Sequence, residues 1–191
     1  MNRVIEQYQE YLITGSLSLV PNLVIERGEG ALLYDQNNQA YVDCFAGIAV
    51  ANAGHTNRAI NEAAKAQIDK VVHPGVYLHY SPVVGALAQE LARICPGHLQ
   101  KSFFGNSGAE VIEGAVKLAR KATGRTAIIG FTGGFHGRTY AALSLTTSNV
   151  NYRTGHGPLV PDIHIAPFPS VYRDFGGDEA TASAMALDHL E

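Results

Sequence analysis

The chain has 191 residues, 46% hydrophobic and 16% charged, and carries a formal net charge of -3. This composition belongs to a globular chain, not a disordered one. Scattered Lys and Arg form no basic patch, which argues against a nucleic-acid partner.

Residues 3–13 are expected to form a short amphipathic helix, ended by Gly15. Met1 to Gly15 carries Glu6, Gln7, Gln9 and Glu10 and lacks the basic start and apolar core of a signal peptide. No apolar run approaches the roughly 18–20 residues that cross a bilayer, so no membrane association is expected. Cys44 and Cys95 lie far apart, imply no disulfide framework and fit a reducing compartment. A cytoplasmic location follows as an expectation.

Short strands come next, at Leu23–Glu26, Ala31–Tyr34 and Ala40–Asp43. Gly28-Glu29-Gly30 and Asp35-Gln36-Asn37-Asn38 supply the turns between them. Residues 45–56 are rich in Gly and Ala and read as a seam between a small N-terminal portion and a larger domain. Helices then alternate with apolar runs. One helix is expected over 57–71, and another opens at Ser81-Pro82 and closes at Pro96-Gly97. Lys101–Phe104 reads as a strand, 108–123 as a helix ending before Gly124, and Thr126–Phe131 as a further strand. Asp162–Ala166 reads as a weaker strand before a Pro-rich loop. From Asp178 to Glu191, Ala180, Ala184, Leu187 and Leu190 recur at helical spacing with no C-cap signal, so the chain is expected to end inside a helix. The alternation argues an α/β fold with at least part of its sheet parallel.

Two segments carry chemistry. In Asn106-Ser107-Gly108-Ala109-Glu110, Ser107 is a good N-cap and Glu110 completes a capping box. An ordinary capped helix accounts for that pattern taken alone. The cap nevertheless leaves the amides of Gly108 and Ala109 free to meet an anion, and the helix dipole favours negative charge there by about 0.3–2 kcal/mol. Ile112, Ala115, Val116 and Ala119 form the stripe expected to be buried, with Glu113 and Lys117 paired outside at i, i+4. The second segment, Phe135-His136-Gly137-Arg138-Thr139, follows Thr132-Gly133-Gly134. If the two preceding strands are parallel neighbours, about 4.8 Å apart, both loops leave the sheet at its ligand-binding edge. One ligand then reaches the two amides with a phosphate and lies against Phe135 with a ring. Loop packing by Phe135 and a surface role for Arg138 are the plainer alternatives.

Other chemistry is less well supported. No GxxxxGK[ST] loop is present, and Thr132 to Gly137 misses the first Gly of GxGxxG. His73 and His79 lack the spacing of metal ligands, and no metal is expected. Cys44 reads as a buried small hydrophobe and not a nucleophile, and Tyr77, His79 and Tyr80 as a polar-aromatic loop.

At these residues the chain resembles the class III pyridoxal-phosphate-dependent aminotransferases, the group of 4-aminobutyrate, ornithine and acetylornithine aminotransferases. The likeness runs through Val42-Asp43, Gly47-Ile48-Ala49-Val50 and Gly54-His55. It continues in the Ser-Gly-Ala-Glu helix start, the Phe-His-Gly-Arg-Thr element and Gly157-Pro158-Leu159-Val160-Pro161. The resemblance implies fold type I, with a large α/β domain around a mixed, mostly parallel sheet, here incomplete, and an N-terminal piece of the small domain. Residues 1–52 fall to the small domain and 53–191 to the large one. It implies that Ser107, Gly108 and Ala109 hold the cofactor phosphate, Phe135 stacks on the pyridine ring with His136 beside it, Arg138 binds a substrate carboxylate and Ile48 lines the pocket. The implied partners are an amino acid, with a distal amine, and a 2-oxo acid, and the implied assembly is a homodimer. Departures are Ala109 in place of a frequent Thr, Arg58 in place of Pro, and a bulkier Val111-Ile112.

The family's chemistry also needs a Lys that carries the cofactor and moves a proton, and an Asp that keeps the pyridine nitrogen protonated. In the family both lie beyond the span of this sequence. The five Lys here, Lys65, Lys70, Lys101, Lys117 and Lys121, include none after residue 121. No catalytic residue is therefore assigned. The alternative expectation is a truncated, inactive fragment or a phosphate-binding module lacking that Lys.

Overall fold

The N-terminal turn signals close two hairpins in succession. The computed structural model describes residues 2–13 and 19–190. It divides into two compact units, Met1–Ser81 and Pro82–Glu191. In the first, Asn2 caps α1 (Arg3–Tyr11) by accepting from the amide of Val4 at 2.9 Å. Gly15, the expected stop, lies outside the described residues. Strands β1 (Ile25–Glu29), β2 (Leu32–Asp35) and β3 (Ala40–Val42) form an antiparallel sheet in chain order. β1 runs through Gly28 and Glu29, so the first turn falls later than the Gly-rich triplet implied. The Asp35 carboxylate closes the second turn, accepting from the amides of Gln39 at 2.8 Å and Asn37 at 2.9 Å.

Residues 45–56, expected as a seam, are tied into this sheet. Gly30 and His55 exchange backbone hydrogen bonds of 3.0 and 2.8 Å, and His55 Nε2 lies 2.6 Å from Asp43 Oδ2. A Cβ on Gly28 would come within 2.8 Å of His55. Asp43 Oδ1 also accepts from the amides of Phe45 and Ala46. It thereby anchors the short turn α2 (Ala46–Ala49), in which Ala46, Gly47, Ile48 and Ala49 all have positive φ. Left-handed backbone costs roughly 1–2 kcal/mol for each residue bearing a Cβ. Here it is held by bonds from the amides of Ile48 and Ala49 to the Phe45 carbonyl. Helix α3 (Arg58–Ile68) follows, capped by Asn57.

The second unit opens with α4 (Pro82–Ile94), starting as expected at the Ser-Pro pair. Lys101–Phe104, expected as a strand, is irregular and pairs with none of the described strands. Its side-chain packing takes a different partner: Phe103 lies so close to α5 (Gly108–Thr123) that a Cβ on Gly114 would be 2.7 Å from the ring. Gly124 ends α5 in the left-handed conformation, as its place after the helix implied. Strands β4 (Ile128–Phe131) and β5 (Ile163–Ala166) pair in parallel, with Ile128 opposite Ile163.

Between them lies α6 (Tyr140–Leu145), which has no amphipathic signature because it is surrounded. Ala141 through Thr146 are all buried. Gly130 admits it to the sheet, since a Cβ there would sit 2.9 Å from Leu145 Cδ2. Burying Leu143 and Leu145 contributes about 1.5–3 kcal/mol each. Val116 completes this core from α5, but Ala115 and Ala119, expected in the buried stripe, are exposed and Ile112 is half-buried. α5 is covered where α6 and Phe103 pack against it, and its remaining surface is exposed. The chain continues through α7 (Val171–Phe175) to α8 (Glu179–Asp188). α8 closes at Asp188, short of the expected continuation, with the Leu190 amide bonded back to the Leu187 carbonyl. Among the described residues no helix is long and apolar enough to cross a membrane.

Candidate functional site

The start of α5 is set by Ser107, whose backbone is extended and whose Oγ accepts from the amide of Glu110 at 3.3 Å. Glu110 turns back to the amide of Asn106, one residue earlier than a reciprocal capping box would use. The amides of Gly108 and Ala109 are left without a protein acceptor among the described residues. A Cβ on Gly108 would meet nothing within 4 Å, so the space before these donors is open. Two unpaired amides at the positive end of a 16-residue helix can hold an anion.

The second segment leaves β4 through a turn in which Gly133 has φ +79°. Phe135 is 54% exposed and meets the Tyr152 ring edge-on, with centroids 5.5 Å apart. The Arg138 guanidinium lies 5.0 Å from the centroid of the same Tyr152 ring. Tyr152 therefore touches both the aromatic platform and the cation, a role that sequence reasoning missed. Its one local signal is Asn149, whose side chain caps the 3-10 turn Val150–Tyr152.

Neighbouring strands were the expected means of bringing the two segments together. The structure uses a helix contact instead. Gly137 is buried against α5, where an added Cβ would lie 2.6 Å from Ala109 Cβ. Only a residue without a side chain allows that approach. Glu113, expected to pair with Lys117, turns toward α6 and makes no ion pair with Lys117. Its Oε1 accepts from the amides of Ala141 at 2.9 Å and Ala142 at 3.3 Å, capping α6 from α5. Burial pushes the Glu113 carboxyl up, but bonds from the Thr139 hydroxyl and these amides, with the charge of Lys117, hold it below its ordinary value.

The result is an open cavity of ≈ 470 Å³ lined by Gly108, Ala109, Val111 and Ile112 of α5 and by Phe135, His136 and Gly137 of the loop. Ser107 and Arg138 adjoin these residues in sequence but do not line the cavity. Ile48 lies in the first unit, in the left-handed turn, with 74% of its surface exposed. All five Lys are exposed, and none lines the cavity.

Unpaired helix-start amides and a half-exposed aromatic ring lining one cavity suit a phosphorylated heteroaromatic ligand, and comparison with known proteins gives the family. The model of the class-III aminotransferases matches residues 16–191. The chain belongs to the class-III aminotransferases. It is 38% identical over 173 residues to the "Probable 4-aminobutyrate aminotransferase" of Bacillus subtilis (strain 168), covering 90% of this chain and 40% of that protein. It is 43% identical over 169 residues to an acetylornithine aminotransferase of Bacillus amyloliquefaciens, covering 87% of this chain and 72% of that protein. Among solved structures, a thermostable (S)-enantioselective omega-transaminase from Thermomicrobium roseum superposes with a TM-score of 0.81 at 31% identity. That match covers all of this chain and 42% of that one. An amine transaminase from an uncultivated Pseudomonas species, solved in its PLP-bound form, matches with a TM-score of 0.77 at 25% identity over 95% of this chain and 44% of that one. The α/β arrangement with a partial parallel sheet is thus that of the fold-type-I aminotransferases, whose cofactor is pyridoxal phosphate. The chain spans less than half the length of most of these proteins.

Proposed function

We propose that this chain forms the cofactor-holding part of an aminotransferase that moves an amino group from an amino acid to a 2-oxo acid. The donor is an ω-amino compound such as 4-aminobutyrate or acetylornithine, the substrates in the names of two relatives. The observation that carries this reading is the cavity itself, which Gly108 and Ala109, with their unpaired amides, share with Phe135. The residues present fit pyridoxal phosphate: the two amides would donate to its phosphate, for which the open side of Gly108 leaves room, and the half-exposed Phe135 ring offers an apolar face. Bound there, pyridoxal phosphate supplies the electron sink for the carbon that exchanges its amino group.

This chain's residues bind and orient. Ser107 fixes the helix start, so that the Gly108 and Ala109 amides converge on the phosphate. His136 lies beside the ring position. Arg138, steadied against Tyr152, would present a planar fork to the donor's carboxylate. Residues 1–52 serve the small domain and 53–191 the large one, in a cytoplasmic homodimer.

The test supplies the protein containing this chain with pyridoxal phosphate, an ω-amino donor and a 2-oxo acid. Amino transfer is expected, and Arg138→Ala should raise KM for the donor about tenfold with kcat nearly unchanged. Absence of transfer by that folded protein refutes the proposal. A second reading, favoured by the exposure of every Lys, is that the 191-residue polypeptide alone holds cofactor without turnover. Transamination by the isolated polypeptide would overturn it.

A further inference from the structure

Two adjacent threonines outside the cavity grip the loop that presents Phe135. Thr146 is wholly buried (0% exposed) just beyond α6. Its Oγ1 accepts from the amide of His136 at 2.9 Å and donates to the carbonyl of Gly137 at 2.9 Å, an acceptor position it shares with the Ala142 carbonyl at 3.0 Å. Thr147 holds the other flank. Its Oγ1 accepts from the amide of Gly134 at 3.1 Å and donates to the carbonyl of Phe131 at 2.8 Å. Its own amide donates to the carbonyl of Gly134 at 2.7 Å. Phe135 is the single residue between these two gripped stretches.

We propose that Thr146 and Thr147 are positioning residues that fix the Phe135 ring in the cavity it shares with Gly108 and Ala109, and so set the cavity's fit for a phosphorylated ring. The loop is Gly-rich, and its φ values of +79° at Gly133 and +130° at Gly137 are of a kind an unrestrained chain would leave readily. Contact of Gly137 with Ala109 limits how near the loop comes to α5, while the hydroxyls limit how far it can depart. Hydroxyls serve this end because each combines one donor with acceptor capacity and so ties an amide and a carbonyl together. The effect on the ring is separable from the phosphate cradle, which belongs to α5. This inference rests on Phe135 being the ring platform.

The test compares Thr146→Val, which keeps the shape and loses the hydroxyl, with Thr146→Ser, which keeps the hydroxyl. Thr147→Val probes the other flank. Ser144→Ala serves as control, since the buried Ser144 hydroxyl donates to the Tyr140 carbonyl and accepts from the Val160 amide instead. Amide exchange at Phe135–Gly137 is measured in each, together with Kd for pyridoxal phosphate and for inorganic phosphate. Thr146→Val and Thr147→Val should speed that exchange and weaken pyridoxal phosphate about tenfold while leaving inorganic phosphate unchanged. Thr146→Ser should restore wild-type behaviour, and Ser144→Ala should alter neither readout beyond any loss of global stability. The proposal is overturned if the valine variants match Ser144→Ala, if both ligands weaken in parallel, or if serine fails to restore. A wild-type chain that binds inorganic phosphate but not pyridoxal phosphate refutes the cofactor reading, whereas unaltered exchange in the valine variants refutes the positioning.

Discussion

Gly137→Ala perturbs the contact that brings the two halves of the site together. The new methyl would lie 2.6 Å from Ala109 Cβ, 2.9 Å from Ala109 Cα and 3.1 Å from Ala142 Cβ. Carbon atoms settle at about 3.5–4.0 Å, so loop and helix must part by about 1 Å. Overpacking of this kind costs about 1–3 kcal/mol. The φ of +130° adds backbone strain of about 1–3 kcal/mol. Gly133→Ala serves as the comparison, because Gly133 has φ +79° yet a Cβ there meets nothing within 4 Å. The difference between the variants, at least about 1–3 kcal/mol, contains the steric clash together with the greater backbone strain at +130°. In urea unfolding with a slope near 2 kcal/mol/M, that corresponds to a midpoint lower by about 0.5–1.5 M for Gly137→Ala. Pyridoxal phosphate should also bind Gly137→Ala more weakly than Gly133→Ala. Equal midpoints and equal affinities would show that the close approach of Gly137 to Ala109 does not shape the site.

Three further outcomes are expected. The Glu113 carboxyl lies below its ordinary value when folded, so its cap on α6 is complete above the unfolded value of about 4.3 and is lost as pH falls through the folded one. Protection of the Ala141 and Ala142 amides, taken as exchange relative to the intrinsic rate at each pH, should fall on acidification in wild type, and Glu113→Gln should flatten that dependence. Ser107→Ala should cost about 0.5–2 kcal/mol in thermal unfolding and weaken inorganic phosphate, because the helix start loses its anchor. Asp43 is held low by His55 first, then by the amides of Ala46 and Phe45. Asp43→Asn should therefore raise the rate of proteolysis at residues 46–49, and an unchanged cleavage rate would remove its anchoring role.

Local chemistry was legible and enclosure was not. Ser107, Gly124 and the spacing between them mark α5 because caps act on neighbouring backbone. The two segments that meet at the cavity were likewise recognisable, each from its own few residues. The means of their meeting was hidden. After its exposed first residue, Tyr140, α6 is buried, so Ala141-Ala142-Leu143-Ser144-Leu145 shows no polar face for periodicity to detect. Glu113 at i, i+4 from Lys117 looks like a surface pair, and only the arrival of α6 redirects it. Lys101–Phe104 has strand-like composition, but Phe103 finds its partner on α5 and no described strand lies alongside. Tyr152 and the paired threonines act across gaps of roughly ten to seventeen residues, which no local pattern encodes.

The most direct measurement of the central claim is a titration of the chain with pyridoxal phosphate, followed at the backbone amides of Gly108 and Ala109 and at the Phe135 ring. Saturable shifts at all three, with the Gly108 and Ala109 amides also responding to inorganic phosphate, are the expected result. Unmoved Gly108 and Ala109 signals in a folded chain saturated with the ligand would contradict the account.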